Sequence, residues 1–150
     1  MFSKWAIALL GCAAWVTVAT AATGWEDDFA KALERAQKEN KHVLVDFSGS
    51  DWCGWCMKLD EEVFSKKAFK DYAKDNLVLV LLDFPRRKEL PKKTREQNEE
   101  LLKKYGVRGF PTVLILSPKG EEIARTGYKP GGAEAYVEHL KKLIGEAKQK

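Results

Sequence analysis

Leu77-Val78-Leu79-Val80-Leu81-Leu82 is a run of six consecutive apolar residues of strand length, apolar on both of its sides. Such a strand must be covered on both faces, so helices are required above and below the sheet that contains it. His42-Val43-Leu44-Val45-Asp46-Phe47 makes the same demand, and the turn residues Ser48-Gly49-Ser50-Asp51 break it. Between and around these runs the apolar period turns helical. Trp25 to Lys38 reads as an amphipathic helix capped by Asp27 or Asp28, with Phe29, Ala32, Leu33 and Ala36 at spacings of three and four, and Asn40 ends it. From Cys53, the residues Met57, Leu59, Val63 and Phe64 mark a second helix. Ser65 is the expected cap of a further segment carrying Ala68, Phe69, Tyr72 and Ala73 and closed by Asn76.

Phe84 to Lys93 is a loop, and Thr94-Arg95-Glu96-Gln97 has the form of a capping box that starts a helix running through Leu101, Leu102 and Tyr105 to Gly106. Thr112 to Leu116 is strand-like, Ser117-Pro118-Lys119-Gly120 is a turn, and Glu121 to Thr126 returns antiparallel. A last helix, Ala133 to Ala147, gathers Tyr136, Val137, Leu140 and Ile144 on one face. The order α, β, α, β, α, β, β, α predicts an α/β sandwich with a central mixed sheet and helices on both faces. The length of 150 residues fits one domain, and 45% apolar with 32% charged residues excludes a disordered or multi-span membrane chain. A formal charge of +4 is too small to argue for nucleic acid.

Three cysteines are present. The first lies in a segment with the layout of an export signal: Met1 to Lys4 is short and basic, Trp5 to Val18 carries no charge, and Ala19-Thr20-Ala21-Ala22 supplies small residues for cleavage. Cleavage after Ala21 or Ala22 divides the chain into a signal peptide, 1–22, and a domain, 23–150, and discards Cys12. Two alternatives are a lipoprotein box at Leu9-Leu10-Gly11-Cys12 and an uncleaved membrane anchor. All three put the domain outside the cytoplasm, periplasmic or secreted, with Cys53 and Cys56 as its cysteines.

Cys53-Gly54-Trp55-Cys56 follows a turn and opens a helix, so Cys53 sits among unsatisfied backbone N–H groups at the positive end of the helix dipole. That setting favours the thiolate, which is the attacking species in disulfide exchange. Cys56, three residues on, lies on the same helix face and is placed to displace a mixed disulfide formed at Cys53. A purely structural disulfide is the bland alternative, but loop entropy gives it only about 1.9 kcal/mol for a ring this small. Zinc would need two further ligands, and His42 and His139 do not form a second close pair. Covalent haem would need histidine where Met57 stands. No metal and no cofactor is expected.

Val45-Asp46-Phe47, Trp52-Cys53-Gly54-Trp55-Cys56, Tyr105-Gly106-Val107-Arg108-Gly109-Phe110-Pro111-Thr112 and Gly120 resemble the thioredoxin family in order and spacing over nearly all of 23–150. Asp51-Trp52-Cys53 with Glu61-Glu62-Val63-Phe64 is similar to its secreted and periplasmic members. The resemblance implies a thioredoxin fold, Cys53 as nucleophile, Cys56 as resolving thiol, Asp46 as a buried proton acceptor, and Pro111 in the cis form. It also implies a substrate groove lined by Trp52, Gly54, Trp55, Phe110 and Pro111, in which the backbone before the proline pairs with the substrate chain. Two departures stand out. Asp46 and Cys53 are one position further apart than is typical, through an extra residue in Ser48-Gly49-Ser50-Asp51, and Gly54-Trp55 replaces the common Gly-Pro. Trp52 and Trp55 either dock apolar peptide or shield the site.

The expected function is therefore an extracytoplasmic thiol-disulfide oxidoreductase acting on protein thiols and disulfides, recharged by a membrane-bound or soluble redox partner and acting as a monomer. The alternative is a non-catalytic binding or docking module of the same fold with a structural disulfide. Arg86, Arg87, Lys88, Lys92, Lys93 and Arg95 against Glu89 give one loop a net charge of +5, either a surface that steers an acidic partner or a solvated insertion.

Overall fold

A computed structural model describes residues 24–149. The export segment, its cleavage site and the lipoprotein and anchor alternatives lie outside the described residues. The elements are β1 (Trp25–Glu26), α1 (Phe29–Glu39), β2 (His42–Ser48), α2 (Gly54–Leu59), a π turn (Asp60–Phe64), α3 (Lys67–Asn76), β3 (Leu77–Asp83), α4 (Lys92–Lys104), β4 (Thr112–Leu116), β5 (Glu122–Thr126) and α5 (Gly132–Ala147). The sheet order is β1-β3-β2-β4-β5, with β1, β3 and β2 parallel and β4 and β5 antiparallel to their neighbours. No helix among the described residues is long and apolar enough to cross a membrane.

The two apolar runs behave as their composition requires. Alternate residues of β2 and β3 serve two separate cores: Leu44, Leu77 and Leu79 join Phe64, Phe69, Tyr136 and Leu140 on one face, while Val43, Val45, Phe47, Val78, Val80 and Leu82 join Phe29, Ala32 and Leu101 on the other. β2 and β3 pair in register along their length, Asp46 opposite Leu81 and Ser48 opposite Asp83. Burial on both faces of the central strands is what fixes this register.

Several boundaries differ from the sequence expectation. Trp25 and Glu26 are strand, not helix: they pair with Leu79 and Val80, and the Trp25 ring packs at a tilt against Phe64 at 5.0 Å, so tertiary packing overrides the helical period. Asp28 is the cap of α1, accepting from the Lys31 amide at 3.2 Å. Ser65 caps nothing ahead of it. Its amide donates to the Asp60 carbonyl at 2.8 Å and closes the π turn, and α3 starts after Lys66 with no side-chain cap. The predicted second helix thus splits into α2 and a wider turn, which lets the consecutive residues Val63 and Phe64 both face the core. The capping box is not used. α4 begins two residues before Thr94, after Pro91, and Gln97 instead accepts from the Phe29 amide at 2.9 Å and donates to the Asp27 carbonyl at 2.8 Å, tying α4 to the start of α1. Gly132 opens α5, one residue earlier than the apolar face suggests, and β5 starts at Glu122.

Candidate active site

β2 ends against the helix layer and the chain turns through Gly49 to Asp51 before α2 begins. Cys53 is the residue that caps α2: its amide donates to the Gly49 carbonyl at 2.9 Å, and its sulfur accepts from the Cys56 amide at 3.3 Å. Cys53 and Cys56 are joined by a disulfide with their Cα atoms 5.3 Å apart, and they are 6% and 4% exposed. Spacing by three along the first turn is what brings them together.

The two sides of the pair are built differently. On the inner side lies a cavity of about 380 Å³ lined by Cys56, Asp46, Ser48, Met57 and Asp60, among others. Asp46 points from the middle of β2, is buried, and its Oδ1 has no hydrogen-bond partner. Burial pushes its carboxyl up to about 7, and the neighbouring Asp60 and Asp83 carboxylates add to the rise. Leu81, its register partner on β3, offers no charge to offset this.

On the outer side Trp52 is held by long-range contacts. Its indole Nε1 donates to the Phe84 carbonyl at 2.8 Å, its ring meets Phe110 edge-on at 5.8 Å, and the Arg86 guanidinium lies over its face at 3.7 Å. Phe110 stacks on Phe84 at 5.1 Å, and Phe84 on Phe47 at 6.3 Å, so a row of rings runs from the site rim into the core. Gly49 makes room for this arrangement, since a Cβ there would lie 2.4 Å from the indole. Ser50 donates from its amide and hydroxyl to Asp83, at 2.9 and 2.6 Å. Asp51 accepts from the Arg86 and Arg87 amides at 2.9 and 2.8 Å, and those bonds hold its carboxyl below the usual range. The extra residue before the cysteines therefore belongs to a set of tethers that fasten the loop after β3 to the site.

Phe110 and Pro111 are joined by a cis peptide bond, and Trp52 in contact with Phe110 places that bond beside the cysteine turn. Trp55 is 58% exposed and sits apart, against Tyr128 at 5.0 Å with the Lys58 ammonium 5.2 Å over its ring. Gly54 is exposed, and a Cβ there would meet nothing within 4 Å. Sequence reasoning did not find the roles of Gly49, Ser50, Asp51 and Asp60; the unusual Asp46-to-Cys53 spacing was the one signal pointing to the first three.

The family of thioredoxin-like domains matches residues 29–144. The disulfide bond reductase DsbH of Chlamydia pneumoniae is 37% identical over 127 residues, covering 85% of this chain and 76% of that protein. The thioredoxin-related protein DsbJ of Chlamydia pneumoniae is 32% identical over 103 residues, 69% of this chain and 30% of that protein. A solved structure of a DsbH oxidoreductase superposes with a TM-score of 0.79 at 34% identity, covering 95% of each chain.

Proposed function

The chain belongs to the family of thioredoxin-like domains and is a thiol-disulfide oxidoreductase, and from this premise we propose that it works outside the cytoplasm as a dithiol reductant of protein disulfides. The observation that carries this reading is the Cys53–Cys56 pair at the first turn of α2, reachable from the Trp52 and Phe110 rim and backed by the Asp46 cavity. The name of the 37% identical relative, a disulfide bond reductase, supports the direction of electron flow. The export layout of 1–22 supports the compartment.

The cycle starts from the dithiol. The Cys53 thiolate, stabilised by the Cys56 amide that already points at its sulfur, attacks one sulfur of the client disulfide and releases the other as a thiolate. The Cys56 thiol then passes its proton to Asp46 across the cavity they share, a transfer suited to a carboxyl with its pKa at about 7. The Cys56 thiolate attacks the Cys53 sulfur, the client leaves as its second thiolate, and the Cys53–Cys56 disulfide remains. Two electrons have gone to the client, and a membrane-bound or soluble dithiol partner must return them. Phe110 and the backbone before Pro111, with Trp52, Gly54 and Trp55, form the surface on which the client chain lies. The protein acts as a monomer.

The test is reduction of a protein disulfide by the prereduced protein. Cys53→Ser abolishes turnover and Cys56→Ser accumulates a mixed disulfide with the client. Equilibration with glutathione gives a potential near the thioredoxin end of the range, about −270 mV. A value near −120 mV makes the protein an oxidant and overturns the proposed direction.

A further inference from the structure

We propose that Arg86 and Arg87 form a carboxylate-binding rim that selects clients with an acidic residue within one or two positions of the reacting cysteine. The inference rests on the oxidoreductase reading and names the substrate class of that site. Trp52 is the residue before Cys53, and the Arg86 guanidinium lies over its indole at 3.7 Å, so this cation is held on the side chain that adjoins the cysteine turn. Stacking on an aromatic face holds the guanidinium plane without using its N–H groups, which remain free to grip a carboxylate in a fork. Trp52 is itself immobilised by the Phe84 carbonyl and by Phe110, and the backbone of Arg86 and Arg87 is anchored on Asp51. The two arginines are therefore presented on a fixed backbone rather than on a waving loop.

The carboxylates nearest to them make no ion pair with either guanidinium, although the Arg87 charge does act on Asp51 and helps to keep it ionised. Asp51 faces the amides, and Asp83 is taken by Ser50 and by Lys88 at 3.3 Å. Among the described residues neither Arg86 nor Arg87 has a carboxylate within 4.0 Å of its guanidinium, and both side chains are exposed. A client strand laid along Phe110 carries its flanking residues past Trp52, whose face holds the Arg86 guanidinium, with Arg87 the next residue along the exposed loop. Two exposed arginines acting together correspond to a preference of roughly five- to tenfold.

The experiment uses three cyclic peptides, each closed by one disulfide and identical except for two residues beside one cysteine, which are Glu, Gln or Lys. Initial rates with the prereduced protein give kcat/KM for each, and the readout is the Glu-to-Gln ratio within one protein, which cancels any change in overall activity. The wild-type ratio is expected at about five to ten at low ionic strength, falling toward one in about 0.5 M salt, with the Lys peptide slowest. Arg86→Gln combined with Arg87→Gln brings the ratio to near one at every salt concentration, and Arg86→Lys, which keeps the charge without the planar stack, retains only part of it. A wild-type ratio of one, a ratio that survives the double substitution, or full retention in Arg86→Lys overturns the proposal while leaving the oxidoreductase reading intact. Failure of the wild type to reduce any of the peptides removes that reading, and this inference with it.

Discussion

The sulfurs of Cys53 and Cys56 belong to one small ring, yet their surroundings have little in common. Outside, Trp52 is fastened by an indole hydrogen bond, an aromatic edge and a stacked guanidinium, and the loop behind it is tied down by Ser50 and Asp51. Inside, Asp46 has a cavity, two further aspartates nearby, and an oxygen with no partner. The outer side is satisfied and tied down, which suits the client surface proposed for it. The inner side is left electrostatically unsatisfied, and that brings the titration of the Asp46 carboxyl up to about 7.

Removing the buried charge gives the largest contrast. The folded state holds the Asp46 proton up to about pH 7, whereas the unfolded chain gives it up near 3.8, so stability falls as pH rises between these values and is level above them. The loss across that window is up to about 4 kcal/mol. In Asp46→Asn, denaturant unfolding from pH 4 to pH 8 is expected to lose this slope. An unchanged slope would show that the inner side is no less satisfied than the outer. Next is Trp52→Ala, which strips the rim of its centre and is expected to cost roughly 3 kcal/mol, read as a shift in the denaturation midpoint. Gly49→Ala attacks the same ring from below: the added methyl forces the indole to shift and costs about 1 to 3 kcal/mol, with a loss of the Arg86 stack. Asp51→Asn leaves the core untouched but weakens the grip on the Arg86 and Arg87 amides, and limited trypsin digestion is expected to cut there sooner than in the wild type. Trp55→Ala is the mildest. Its exposed indole should change stability by no more than about 0.5 kcal/mol, and a larger loss would erase the distinction between the two tryptophans.

Trp52 and Trp55 also mark how far sequence reading reaches. The cysteine spacing, the helix that begins there, the two-faced strands β2 and β3 and the hairpin of β4 and β5 were all legible, because each is written in residues close together in the chain. What separates the tryptophans is not. The partners of Trp52 are Phe84, Arg86 and Phe110, more than thirty positions away, and no local period reports them. β1 was hidden for the same reason: two residues carry no strand period, and only Leu79 and Val80 make them a strand. The capping box at Thr94 misled because Gln97 had a distant use, holding the start of α1. The π turn after Leu59 keeps the apolar spacing of an ordinary helix nearly unchanged, so the pattern showed one helix where the backbone widens.

The sheet borders carry a consequence for an enzyme whose substrates are the thiols and disulfides of other proteins. Partly unfolded clients expose strands in search of a pairing edge, and an open border would let them adhere and aggregate. One border here is the two-residue β1, whose Glu26 is engaged by Arg35, and the other is β5, with a register irregularity against β4 and an ion pair between Glu122 and Arg125 at 2.8 Å. Neither gives a sticky client a long flat strand to join. Under the proposed cycle, strand-like pairing with a client would then fall to the stretch before Pro111, where the chemistry ends the encounter by letting the client go.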